Sequence, residues 1–117
     1  SLTGGGSTET IFTIAIGNQY GDGVYKFTVF AVDATYPNGN WIQEIYVTGS
    51  REGSGVVNTA ITQQDKVLGN NGIAYPTWSV SVSGNSYLVR ATYSYGESSL
   101  YIKAEWSASV NSNTTIT

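Results

Sequence analysis

The stretch "SLYIKAEWSASV", residues 99–110, alternates apolar and polar side chains almost without a break. Read with a period of two, it sets Leu100, Ile102, Ala104, Trp106, Ala108 and Val110 on one face. Tyr101, Lys103, Glu105 and Ser107 fall on the other. Successive side chains of a strand point to opposite faces, so this pattern specifies a strand with one side in a core. "TWSVSVS" (77–83) repeats it, with Trp78, Val80 and Val82 opposed to Thr77, Ser79, Ser81 and Ser83.

"TIFTIAI" (10–16), "VYKFTVFAVDA" (24–34), "WIQEIYVTG" (41–49), "VVNTAIT" (56–62) and "SYLVRATYSY" (86–95) bring the strands to at least seven. They are rich in the β-branched and aromatic residues that suit a pleated surface. Helical periodicity is missing, and "TAITQQDKVLG" (59–69) holds either a helical turn or a short eighth strand. "YGDGV" (20–24) reads as the joint between the first two strands and "YGESS" (95–99) as the last joint. Gly84-Asn85 is a two-residue hairpin signal calling for positive φ. The expectation is an all-β, antiparallel β-sandwich of seven to eight strands, jelly-roll-like, since an immunoglobulin domain's Cys…Trp…Cys spacing is missing from a chain without cysteine. The sandwich is expected over 10–110, with the Gly-rich "SLTGGGS" region (1–9) as a flexible linker and "NSNTTIT" (111–117) as a tail.

The bulk chemistry removes several function classes. Charged residues are 11% of the 117, against roughly 25% in average domains. The five basic residues (Lys26, Arg51, Lys66, Arg90, Lys103) are scattered singly, which leaves no patch for a run of phosphates or an anionic membrane. No apolar run reaches the roughly 20 residues of a membrane-spanning helix. Histidine and cysteine are absent, which excludes a Ser-His-Asp triad and leaves zinc or copper almost without ligands. The eight acids lie in no recognisable pair motif. The chain therefore reads as non-enzymatic, with no catalytic residue, metal or cofactor assigned.

Aromatics in turn segments are the candidate binding groups. In an antiparallel sandwich successive connections alternate between the two ends. With seven strands, the loops at 34–40, 63–76 and 96–98 share one end, while an eighth strand at 66–68 would separate them. That end would gather Tyr36, Asn38, Asn40, Trp41, Asn70, Asn71, Tyr75 and Glu97 as a carbohydrate-binding set. Flat rings pack on a sugar's C–H face while amides and carboxylates bond its hydroxyls. Trp41 has a second reading, because alternation groups it with Gln43, Ile45 and Val47 on a core face. The stretch 24–34 is apolar on both faces near Val29 and Val32, which suggests one face in the core and the other against a partner.

The strand ending in "VTGSREG" (47–53), then "WSVSVSGNSYLVRATYSYG" (78–96) and the final alternating strand resemble the C-terminal receptor-binding or tip domain of bacteriophage tail fibres and tailspikes. The resemblance covers about residues 10–110 and implies a homotrimeric sandwich at the virion tail tip, outside the cell. Its implied partner is a bacterial surface polysaccharide or lipopolysaccharide bound during adsorption, without nucleic acid or membrane insertion. The Gly-rich start and the absence of methionine suit a domain cut from a longer fibre. A purely structural trimerisation or capping domain, and a carbohydrate-binding module of a secreted glycosidase, are the alternatives.

Overall fold

A computed structural model describes residues 2–17, 20–33, 40–53, 55–66, 75–94, 96–109 and 114–117. They form eight strands: β1 (Thr8–Ile16), β2 (Tyr20–Asp33), β3 (Asn40–Glu52), β4 (Gly55–Lys66), β5 (Thr77–Ser83), β6 (Ser86–Thr92), β7 (Ser98–Ala108) and β8 (Thr114–Ile116). Sheet I has the order β4-β3-β2-β7 and sheet II the order β5-β6-β1-β8, with every neighbouring pair antiparallel. The all-β sandwich expected from alternation is the fold.

The winding keeps β2, β3 and β4 as successive neighbours and brings β7 back beside β2, a Greek key within one sheet. The outer pairs β1·β8 and β2·β7 nest the two ends of the chain as a jelly roll does. The β2–β3, β3–β4 and β5–β6 hairpins, by contrast, each stay within one sheet. Gly84, at φ 59°, makes that hairpin's turn between Ser83 and Ser86 as its sequence requires.

The core is built from the inward row of each strand: Phe12, Ile14 and Ile16 from β1, Tyr25, Phe27, Val29 and Ala31 from β2, Trp41, Ile45 and Val47 from β3, Tyr87, Val89 and Ala91 from β6. Phe12 lies 4.1 Å, centroid to centroid, from Phe27, so aromatic contact joins the two sheets. A fully buried amide adds a polar clasp. Gln43 donates from Nε2 to the Pro76 carbonyl at 3.1 Å and accepts the Trp78 indole N–H at 2.7 Å. Gln63 on β4 accepts the Trp78 backbone N–H at 3.0 Å. Buried polar groups are tolerated where they are bonded, and these bonds close the β4/β5 edge of the sandwich.

Four segments differ from their sequence reading. Residues 20–24, read as a joint, are the start of β2 and pair with β3 from Tyr20↔Glu52 onward. Leu2, placed in a linker, is fully buried, and it and Ser98 each donate a backbone N–H to the other's carbonyl, at 2.9 and 2.8 Å. Gly6 further donates its backbone N–H to the Tyr93 carbonyl at 2.8 Å, so burial of Leu2 and backbone bonds together anchor the segment. Thr114–Ile116, placed in a tail, is β8 and pairs with Ile14, Ala15 and Ile16, while of the stretch 66–68 only Lys66 is described, as the last residue of β4, and 67–68 lie outside the described residues. The polar residues Gln63 and Gln64 instead lengthen β4. Trp106, expected inside, is 51% exposed. It stands on the core-facing row opposite Tyr25, but β7 is the last strand of sheet I and the facing sheet ends in the three-residue β8.

A glycine pair shapes one end of the core. Gly23 and Gly49 are cross-strand partners on β2 and β3. A Cβ on Gly23 would overlap the Tyr25 hydroxyl, and one on Gly49 would overlap the Tyr87 ring. The missing side chains form the notch in which both phenols lie. Gly49→Ala is expected to lower unfolding free energy by about 1–3 kcal/mol or more in urea denaturation, through overpacking. Burial pushes both phenols above their ordinary value of 10.0, and Tyr25 and Asp22 add to the rise at Tyr87, while the Thr114 hydroxyl opposes it at Tyr25. The folded chain then holds protons that the unfolded chain releases. Stability is expected to be intact below about pH 10 and to fall as pH rises above it, with the two phenols ionising only on unfolding in a 295 nm titration.

Candidate interaction surface

The register places the expected binding residues. Val32 lies opposite both Asn40 and Ser99, and Ile42 opposite Lys66, so β2, β4 and β7 bring to one end of sheet I the strand termini that border 34–39, 67–74 and the 93–97 stretch. The sharing of an end deduced from alternating connections holds for these termini. Tyr36, Asn38, Asn70 and Asn71 lie outside the described residues.

The other four do not form one surface. Trp41 is 1% exposed, with its ring 5.4 Å from that of Tyr93 and perpendicular to that of Tyr75 at 6.4 Å. Of its two readings the core one is correct, because Trp41 shares the inward row with Gln43, Ile45 and Val47, and a sugar has no access to it. Tyr75 is half-buried against the Trp41 ring. Glu97 is exposed just before β7, and Asn40 is half-buried at the start of β3. Trp41→Ala is expected to cost about 3–5 kcal/mol of stability in thermal or urea unfolding, as a core truncation.

A different surface stands out on the outer face of sheet I. The side chains of β2 that point away from the core are Val24, Lys26, Thr28, Phe30 and Val32. Phe30 is 39% and Val32 62% exposed, while their neighbours Val29 and Ala31 are buried. Phe30 lies between Ile42 on β3 and Tyr101 on β7 in the register. Its ring is 5.9 Å from that of Tyr101, which is 69% exposed. Asn40 and Ser99 add the polar rim of a shallow depression of about 600 Å3 over these residues. The two-sided apolar run in 24–34 was its sequence signal, but partners on β3 and β7 appear only once register is known.

Below the patch the same face is charged. Lys26 is opposite Glu105, and Thr28 is opposite both Lys103 and Glu44. Glu44 is buried and accepts a hydrogen bond from the Tyr46 hydroxyl, which raises the Tyr46 pKa. The outer face of sheet II is unlike this. Its rows run Thr77–Thr92–Thr8, Ser79–Arg90–Thr10 and Ser81–Leu88–Thr13, and Thr8 and Thr92 share a hydroxyl–hydroxyl bond of 2.7 Å. One sheet thus presents hydroxyls to water and the other presents rings and aliphatic groups.

Among the described residues no three His, Cys, Asp or Glu side chains gather into a group able to hold a metal ion. Comparison with protein-family models, with characterised proteins and with solved structures finds no match to this chain.

Proposed function

We propose that the chain is a non-enzymatic assembly and attachment domain, of the kind found at the tip of phage tail fibres, whose copies pack through the outer face of sheet I. The observation that carries this reading is the contiguous apolar patch of Phe30, Val32, Ile42 and Tyr101 beside a second sheet whose outer face is clad in hydroxyls. Contiguous exposed apolar surface on an otherwise polar domain is characteristic of protein contact sites. Aliphatic Val32 and Ile42 favour a protein partner over a sugar, which needs hydrogen-bonding groups around its rings. A second copy is the partner, and a trimer is the count that the resemblance to tail-fibre tips implies.

In this reading the strand termini bordering 34–39 and 67–74 face outward, and surface polysaccharide or lipopolysaccharide is the ligand of that end. The patch reaches that end through Val32 and Asn40, so packing and recognition there use neighbouring surfaces.

Light scattering and native mass spectrometry test the assembly. The wild-type chain is expected at a multiple of 12.5 kDa. Phe30→Asp with Val32→Asp is expected to weaken association about tenfold or more while the far-UV spectrum is unchanged. A mass of one copy for the wild type at all concentrations overturns it. Binding to bacterial surface glycans that is lost in Tyr36→Ala, with the mass unchanged, supports attachment, and an oligomer that binds no glycan leaves a capping domain.

A further inference from the structure

Among the described residues β7 is an open edge of the sandwich. At the far edge of sheet I, β4 is bonded to β5 through Gln63 and Trp78. At the near edge, β7 runs straight through its ladder with β2, without a bulge, from Gly23↔Ala108 to Asp33↔Ser98. Only its first residue has a described partner on the free side, where Ser98 and Leu2 exchange backbone hydrogen bonds.

That bond sets the phase of the strand. Ser98 turns its N–H and C=O away from β2, while Ser109 donates its N–H to the Asp22 carbonyl on the β2 side. Backbone groups alternate between the two sides of a strand, so residues 100, 102, 104, 106 and 108 all aim their N–H and C=O at the free edge. Unpaired edges of this length are templates for another strand, and natural sheets usually blunt them with bulges, prolines or inward-pointing charges. β7 has none of these. Its core-facing residues Leu100, Ile102 and Ala104 are only partly covered, and Trp106 is half exposed.

We propose that two copies of this chain pair edge to edge through β7, antiparallel, about a two-fold axis at Ala104. Residues 100–108, the span left free by Leu2, are centred on Ala104. In this register Ala104 faces its own counterpart and each copy's Ile102 lies opposite Trp106 of the second copy. Leu100 lies opposite Ala108 and Tyr101 opposite Ser107. On the outer face Lys103 meets Glu105 of the second copy, and the reverse pair repeats it.

Charge selects this register over its neighbours. Moving the axis by one residue puts Lys103 against Lys103, or Glu105 against Glu105, and like charges directly opposite each other in a sheet are destabilising. Moving it by two separates Lys103 from Glu105 and shortens the ladder, toward Leu2 in one direction and the end of β7 in the other. Axis positions between residues would set outward-facing backbone groups against inward-facing ones. The result is a sheet I of eight strands with the Trp106 rings covered, and the outer faces of both copies remain open. This contact is independent of the outer-face packing proposed above and adds a two-fold to it.

Sedimentation analysis of the full chain, from micromolar to millimolar, tests the pairing in a Phe30→Asp/Val32→Asp background that removes the outer-face contact. That background is expected to dimerise. Lys103→Glu is expected to weaken the dimer about tenfold or more, by two like-charge contacts, and Glu105→Lys added to it to restore the dimer. Ala104→Pro, which deletes an N–H that β2 does not use, is expected to abolish the dimer and keep the fold. In hydrogen exchange the amides of residues 102, 104 and 106 are expected to slow with concentration. A one-copy mass up to millimolar, a Lys103→Glu effect that Glu105→Lys fails to reverse, or edge amides that exchange equally fast at every concentration would overturn the pairing.

Discussion

A sandwich of two sheets can cover only one face of each, and sheet I has apolar side chains on both. Val29 and Ala31 are spent on the core, and Phe30 and Val32 between them point the other way. No rearrangement within the chain removes this surplus, because a one-residue slip of β2 would exchange the two faces and expose the core row instead. The core row is pinned by Phe12 against Phe27 and by the Gln43 amide joining β3 to Pro76 and Trp78. Register and surplus are therefore consequences of the same constraint: holding one face of β2 inside forces the other face out.

The second unbalanced element is length. β7 runs from Ser98 to Ala108, whereas β8, the strand at the corresponding side of sheet II, holds three residues. The inward row of β7 consequently loses its cover toward Trp106. The outer face and the β7 edge are contiguous at Tyr101, but they call for different partners. The face offers rings and aliphatic groups, and the edge offers backbone hydrogen bonds with one Lys and one Glu beside the axis. In the proposals above, both are answered by further copies of the same chain.

Much of this was legible in the alternation. "SLYIKAEWSASV" and "TWSVSVS" showed which residues share a row, although Val82 is 49% exposed and Val110 lies outside the described residues, and the Gly84-Asn85 turn followed from its two residues. Composition could not show how far cover extends, which is why Trp106 sits on the expected row yet stands half in water. Leu2 and Thr114–Ile116 were hidden by glycine and by small polar residues, whose strand pairing comes from long-range partners (Ser98 and Ile14) rather than local propensity. The aromatics beside turns were the weakest guide. A Trp that opens a strand and a Trp in a loop look alike until register sets Trp41 on the core row. The opposite error was harder to avoid, since the outer patch joins Phe30 and Ile42 of consecutive strands to Tyr101 of β7, far along the chain, and only register makes them neighbours.

The most direct measurement of the central claim is oxidative footprinting of the outer face of sheet I across a dilution series. If that face is an interface, oxidation of Phe30 and Val32 falls several-fold as the wild-type chain is concentrated, while Leu88 on the hydroxyl-clad face of sheet II is oxidised equally at every concentration. Oxidation of Phe30 and Val32 that is the same in dilute and concentrated samples would contradict it.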